Sequence, residues 1–132
     1  MRANRIMATA LIAGCGMAMQ PAHAQQPQVT RTELVRHDLG DSVRQVIQTR
    51  VDFAPGAAFP RHSHPGVEVA FVLEGTMEYQ LEGQPPVTLT AGASLFIPPR
   101  SVHSARNVGN GKAAELATYV VEKGTPLVAV AP

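Results

Sequence analysis

Between Ile47 and Phe53 the residues alternate without a break: Ile47, Thr49, Val51 and Phe53 fall on one side of an extended chain, Gln48, Arg50 and Asp52 on the other. Successive side chains of a strand point to opposite faces, so this period of two reads as a half-buried β-strand, and Ala54-Pro55-Gly56 ends it. The pattern recurs. Glu68 to Glu74 and Thr76 to Glu82 flank Gly75 as a hairpin, with Met77, Tyr79 and Leu81 on one side of its second arm. Val87 to Thr90, Ser94 to Ile97, Val102 to Val108 and Glu115 to Glu122 follow, parted by Ala91-Gly92, Pro98-Pro99 and Gly109-Asn110-Gly111. No later segment carries a helical stripe. Short strands at near-regular spacing, with glycine and proline at the breaks, predict an all-β sandwich or barrel of jelly-roll type.

The chain has 132 residues with 11 Lys+Arg against 10 Asp+Glu, a size for one small domain. Charge is dispersed, aromatics are scarce and no basic run appears, which excludes a phosphate-tracking surface and argues against nucleic acid as a partner. Residues 1–24 read as an export signal: Arg2 and Arg5 form a basic start, Ile6 to Met19 an apolar core too short for a stable span, and Ala22-His23-Ala24 an A-x-A cleavage site. A competing reading takes Ile12-Ala13-Gly14-Cys15 as a lipobox, with Cys15 as a lipidated anchor. Either way a periplasmic or secreted location follows, and no second apolar run is long enough for the membrane. Cys15 is the single cysteine, so a mature domain holds no internal disulfide and rests on packing or a metal.

Residues 25–42 form a polar lead-in with a possible short strand at Glu33 to Arg36, 43–124 the barrel, and 125–132 a tail that is either an edge strand or a subunit contact. The chemistry sits in Arg61-His62-Ser63-His64-Pro65-Gly66-Val67-Glu68. Side chains two apart on an extended chain share a face, so His62 and His64 can present two imidazoles to one point. Pro65-Gly66 permits a bend, after which Glu68 can return a carboxylate from the start of the next strand. A carboxylate heading an apolar strand is costly unless something pairs with it, and two imidazoles with one carboxylate suit a single Fe(II), Mn(II), Ni(II) or Zn(II) ion. His37 lies in the polar lead-in and reads as solvated. His103, opening a strand just past the proline pair, is the expected fourth donor.

These residues also fall into a two-part pattern. Gly56, His62, His64, Glu68 and Gly75 have the spacing of the first cupin motif, and Gly92, Pro98, His103 and Asn107 resemble the second. Arg100 stands where that family usually has glycine, and Ala93 where an acidic residue often follows the first glycine. The resemblance covers about half of the mature chain. It implies a single-domain cupin jelly-roll barrel (a double-stranded β-helix) with one metal held by His62, His64, Glu68 and His103. It further implies turns shaped by Gly56 and Gly75, a connection held by Pro98, a turn braced by Asn107, and a homodimer. Glycine at the position of Arg100 often supplies positive φ, so either this turn has another geometry or Arg100 bears strain.

The family resemblance puts Arg61 and Arg100 at the barrel mouth, where they either attract an anionic substrate or keep the rim soluble. Tyr79 shares a face with Met77 and Leu81, which favours packing over a substrate contact; Tyr119 is a further candidate to face the cavity, whereas Glu78 and Arg50 read as solvated. The fold leaves the reaction open. The leading expectation is an exported metalloenzyme, dioxygenase-like or otherwise converting a small oxygenated substrate. The alternatives are a periplasmic metal- or ligand-binding module without turnover and an assembly unit built on structural zinc.

Overall fold

A computed structural model describes residues 28–40 and 43–132; the export segment and Cys15 lie outside the described residues. The elements are β1 (Val29–Asp38), β2 (Arg44–Phe53), β3 (Ala58–Ser63), β4 (Val67–Glu74), β5 (Thr76–Leu81), β6 (Val87–Thr90), β7 (Ser94–Ile97), β8 (His103–Asn107), β9 (Ala113–Glu122) and β10 (Ala129–Val130). They form two five-stranded antiparallel sheets, ordered β1-β2-β9-β4-β7 and β10-β3-β8-β5-β6. This is an all-β jelly roll. Among the described residues no helix is long and apolar enough to cross a membrane.

The period of two in Ile47 to Phe53 does what it predicts. Ile47, Thr49, Val51 and Phe53 are buried while their neighbours are half-buried, and β2 pairs with β9 along its whole length. On β9 the inward phase is Ala113, Glu115, Ala117, Tyr119 and Val121, and these meet Ala70 and Val72 of β4 and Met77, Tyr79 and Leu81 of β5 in the core. The hairpin turns at Gly75, whose φ of 78° is open to glycine at no steric cost. Asn107 braces the neighbouring turn. Its Nδ2 lies 2.7 Å from the Gly111 carbonyl and 3.1 Å from that of Ala54, and its Oδ1 accepts from Gly109 N at 3.0 Å.

The two ends both join the sheets. The lead-in forms a ten-residue strand rather than a short one, and it pairs with β2 through a bulge between Glu33 and Val35. At the other end Ala129 and Val130 pair with Ser63 and His62, so part of the tail is an edge strand.

Arg100 has φ of 60°, the left-handed conformation glycine would adopt freely. Of the two alternatives, the turn keeps the family geometry and arginine bears the strain. Placing a β-carbon there costs about 1 kcal/mol. Arg100→Gly should therefore gain about 1 kcal/mol and raise the thermal midpoint by roughly 4 °C or more. Calorimetry checks it, and an unchanged or lower midpoint would mean that no strain is stored at this turn.

Candidate metal centre

Register brings the first two imidazoles together. His62 on β3 lies directly opposite His103 on β8, and residues opposed in an antiparallel pair present their side chains to the same face. Their ring centroids are 4.2 Å apart. His64 stands one residue beyond the end of β3, and Glu68 is the second residue of β4, entering from the opposing sheet. Gly66 makes this return possible, because a β-carbon there would run into the Val120 carbonyl and lie 2.9 Å from Val121 Cα on β9. The four potential donor atoms lie within 4.8 Å of one another, and all four residues are at most 4 % exposed.

Each ring is fixed from behind. His62 Nδ1 lies 2.7 Å from the Pro60 carbonyl, His64 Nδ1 2.7 Å from that of Leu127, and His103 Nδ1 2.9 Å from that of Ser101. A carbonyl can only accept, so each Nδ1 carries the proton and each neutral ring turns the lone pair of Nε2 inward. Glu68 Oε2 lies 2.9 Å from His64 Nε2 and 3.3 Å from His103 Nε2. With neutral imidazoles these contacts set lone pair against lone pair, and His64 Nε2 and Glu68 Oε2 are both buried without a hydrogen-bond partner. A buried array of acceptors requires a positive charge at its centre. In a metal-free chain that charge is a proton. Burial acts to raise the Glu68 carboxyl, but the His103 and His64 rings outweigh it and hold the carboxyl below its ordinary value. Burial likewise acts to lower His103, and the Glu68 carboxylate overrides it to raise the ring. His62 is the exception: burial and the charge of His103 push it down to about 4, so it remains a neutral donor. Three imidazole nitrogens and a carboxylate oxygen converging on one point are a donor set for a divalent transition metal.

The other predicted positions lie elsewhere. Arg61 faces the outer side of β3 and pairs with Glu82 on the surface, away from the cluster. Arg100 is exposed and lines a pocket of about 330 Å³ with Ser63, His64, Pro65, Thr125, Pro126 and Ala129. Tyr79 is in the core, its hydroxyl donating to Glu115 Oε2 at 2.5 Å. Tyr119 also faces inward, its ring 4.7 Å from that of His64, while His37 is exposed.

Two interior charged residues were not anticipated. Glu115 appeared only as the start of a strand, although an acid in phase with Ala117, Tyr119 and Val121 is the available signal. Arg31 sits in a strand with little apolar alternation to announce it. Burial, reinforced by the charge of Glu68, pushes Glu115 up to about 7. An acid raised above its ordinary 4.5 is one the fold prefers protonated. Its contribution is whole below the unfolded value and is lost as pH rises through about 7. Glu115→Gln keeps an acceptor for Tyr79 and cannot ionise. In chelated protein its advantage in midpoint over the parent should therefore widen from about pH 5 to about pH 8. A constant difference in thermal scans would show that Glu115 does not titrate there.

The fold and the cluster together define a class, the jelly-roll barrels with an internal site of three histidines and one glutamate. Residues 49–126 match the cupin domain, and the chain belongs to that family. It is 37 % identical over 90 residues to germin-like protein 1-1 of Oryza sativa subsp. japonica, across 64 % of this chain and 42 % of that protein. It is 39 % identical over 51 residues to the dimethylsulfoniopropionate lyase DddQ of Ruegeria pomeroyi, across 39 % of this chain and 25 % of the lyase. Among solved structures it resembles a recombinant oxalate oxidase in complex with glycolate, with a TM-score of 0.63 and 27 % identity, across 77 % of this chain and 54 % of that one. The chain thus spans less than half the length of these two curated relatives.

Proposed function

We propose that this cupin holds one divalent transition metal, iron, manganese, nickel or zinc, through His62, His64, Glu68 and His103, and converts a small oxygenated substrate beside it. The observation that carries the reading is the buried meeting of acceptors, His64 Nε2 and Glu68 Oε2, which a cation satisfies. When bound, such an ion supplies Lewis acidity or a redox couple. The protein's part is to orient. Three backbone carbonyls set the tautomers, the burial of His62 keeps that ring unprotonated, and the interior excludes bulk water from the donors. The oxalate oxidase and the lyase among the similar proteins perform different reactions on small organic acids, which supports the substrate size and leaves the chemistry to test.

A second reading, a metal-binding module without turnover, is favoured by the burial of all four donor residues. The same proposal places the mature protein outside the cytoplasm, on the strength of the basic start, apolar core and A-x-A site in residues 1–24. Protein purified without chelator or metal-affinity tag would be assayed for metal by elemental mass spectrometry, then for consumption of glycolate, oxalate and simple phenolics with and without oxygen. Near one equivalent of metal with turnover supports the enzyme. Metal without turnover across the panel supports the binding module, and a chain that takes up no metal after reconstitution overturns both. N-terminal sequencing of exported protein tests the localisation: a start near Gln25 supports cleavage, and an intact Met1 in the cytoplasm overturns it.

A further inference from the structure

The geometry points to Arg31 as the anchor for a carboxylate on the substrate, an inference that rests on the proposed function and deepens it. Arg31 belongs to β1, which precedes the segment matching the cupin domain. On that strand Val29 and Arg31 are half-buried while Thr30 and Thr32 are exposed, and Arg31 lies opposite the buried Val51 of β2. The guanidinium therefore faces the interior. Its Cζ stands over two rings, 5.4 Å from the centroid of Phe59 and 5.9 Å from that of Tyr119, and Nη2 donates to the Tyr119 hydroxyl at 3.4 Å. The same two rings touch the metal cluster, Phe59 at 4.6 Å from His62 and Tyr119 at 4.7 Å from His64. Arg31 is thus one ring removed from two of the four donor residues.

What it lacks, among the described residues, is a carboxylate in direct contact, although its charge reaches the buried Glu115. Four arginines elsewhere on the barrel are paired, Arg36 with Glu33, Arg50 with Asp52, Arg61 with Glu82 and Arg106 with Glu78. Among the described residues no carboxylate oxygen lies within 4.0 Å of the half-buried Arg31 guanidinium. The two ring centroids lie within about 6 Å of Cζ, and one phenol takes one of its five N–H donors. The remaining donors form a planar fork, which matches the two oxygens of a carboxylate. A small hydroxy or keto acid could set its carboxylate against Arg31 while its other oxygen reaches toward the histidines. The plainer role for Arg31 is to close the seam between β1 and β3 through the two rings, and the test must separate the roles.

Full-chain protein reconstituted with metal would be titrated calorimetrically with glycolate and with the neutral glycolamide, as wild type, Arg31→Met and Arg31→Lys. Methionine retains an apolar stem against Phe59 and Tyr119 and removes the charge. The wild type is expected to prefer glycolate at least tenfold. Arg31→Met should bring the ratio near one with metal content unchanged, and Arg31→Lys, which keeps charge without the fork, should fall between. A ratio unchanged in Arg31→Met overturns the inference; if that variant does not fold, an unchanged ratio in Arg31→Lys does so. A wild type that holds metal but shows no preference also sinks it, leaving the metal reading intact. Preference that depends on Arg31 in protein that takes up no metal sinks the metal reading alone.

Discussion

Protein carrying Glu68→Gln should leave purification with less than a tenth of the metal of the wild type, and its metal-free form should be at least as stable as metal-free wild type. The two halves have one cause. In the parent, Glu68 Oε2 approaches His64 and His103 Nε2 at 2.9 and 3.3 Å, acceptor to acceptor unless a cation or proton intervenes. A glutamine amide can direct N–H donors at those same nitrogens. It then satisfies the cluster without any cation and offers a metal one neutral oxygen instead of a charged one. What disappears is the linkage: metal at a hundred times its dissociation constant stabilises the folded chain by about 2.7 kcal/mol, and the variant would show none of this. Elemental analysis and paired thermal scans with and without chelator read both halves. Equal metal content in the two proteins would remove Glu68 from the ligand set.

Gly66→Ala should be strongly destabilising. The new β-carbon would overlap the Val120 carbonyl and stand 2.9 Å from Val121 Cα, and both are backbone of β9. That strand is the middle one of its sheet, bonded on one side to β2 and on the other to β4, so it cannot give way locally. Overpacking against atoms free to adjust costs about 1–3 kcal/mol, and here the upper end or beyond is expected. That is a large share of the roughly 5–15 kcal/mol that holds a domain of this size. The midpoint should fall by on the order of 10 °C or more, and metal affinity with it, since Glu68 begins two residues on. Gly56→Ala is the control. It has open space around its β-carbon and bears only the cost of its φ of 73°. If the two alanine variants unfold at similar temperatures, the close approach at Gly66 is not what it is taken to be.

The barrel was legible where burial is one-sided. Ile47 to Phe53 and Met77 to Leu81 write their inward phase as apolar residues, because the other face meets water. The donor cluster was legible as spacing, since His62, His64 and Glu68 sit within one bend of chain. His103 needed the further assumption that its strand would lie alongside. Less could be read where an element has little to bury. Most residues of β1 are exposed on both faces, so Thr30 to Asp38 carries no alternation and its length comes from pairing with β2. In β3, Pro60 and Arg61 interrupt any apolar pattern. Glu115 shares the phase of the apolar Ala117, Tyr119 and Val121 on its own strand and was passed over because an acid reads as solvated, whereas Arg31 lies on a strand with no apolar alternation and is placed by its register opposite Val51.

The hydrogen bond behind His64 reaches beyond the chain segment that defines the family. Its acceptor is the carbonyl of Leu127, one residue past the matched region, and β10 just after it ties the tail back onto His62 and Ser63. Anyone who trims this protein to its recognisable domain for expression would therefore cut away the group that selects the tautomer of a candidate metal ligand. The shortened barrel could keep every donor atom and still lose its grip on the ion. For this chain, the useful boundaries are those of the hydrogen-bond network, and they enclose Arg31 at one end and Leu127 at the other.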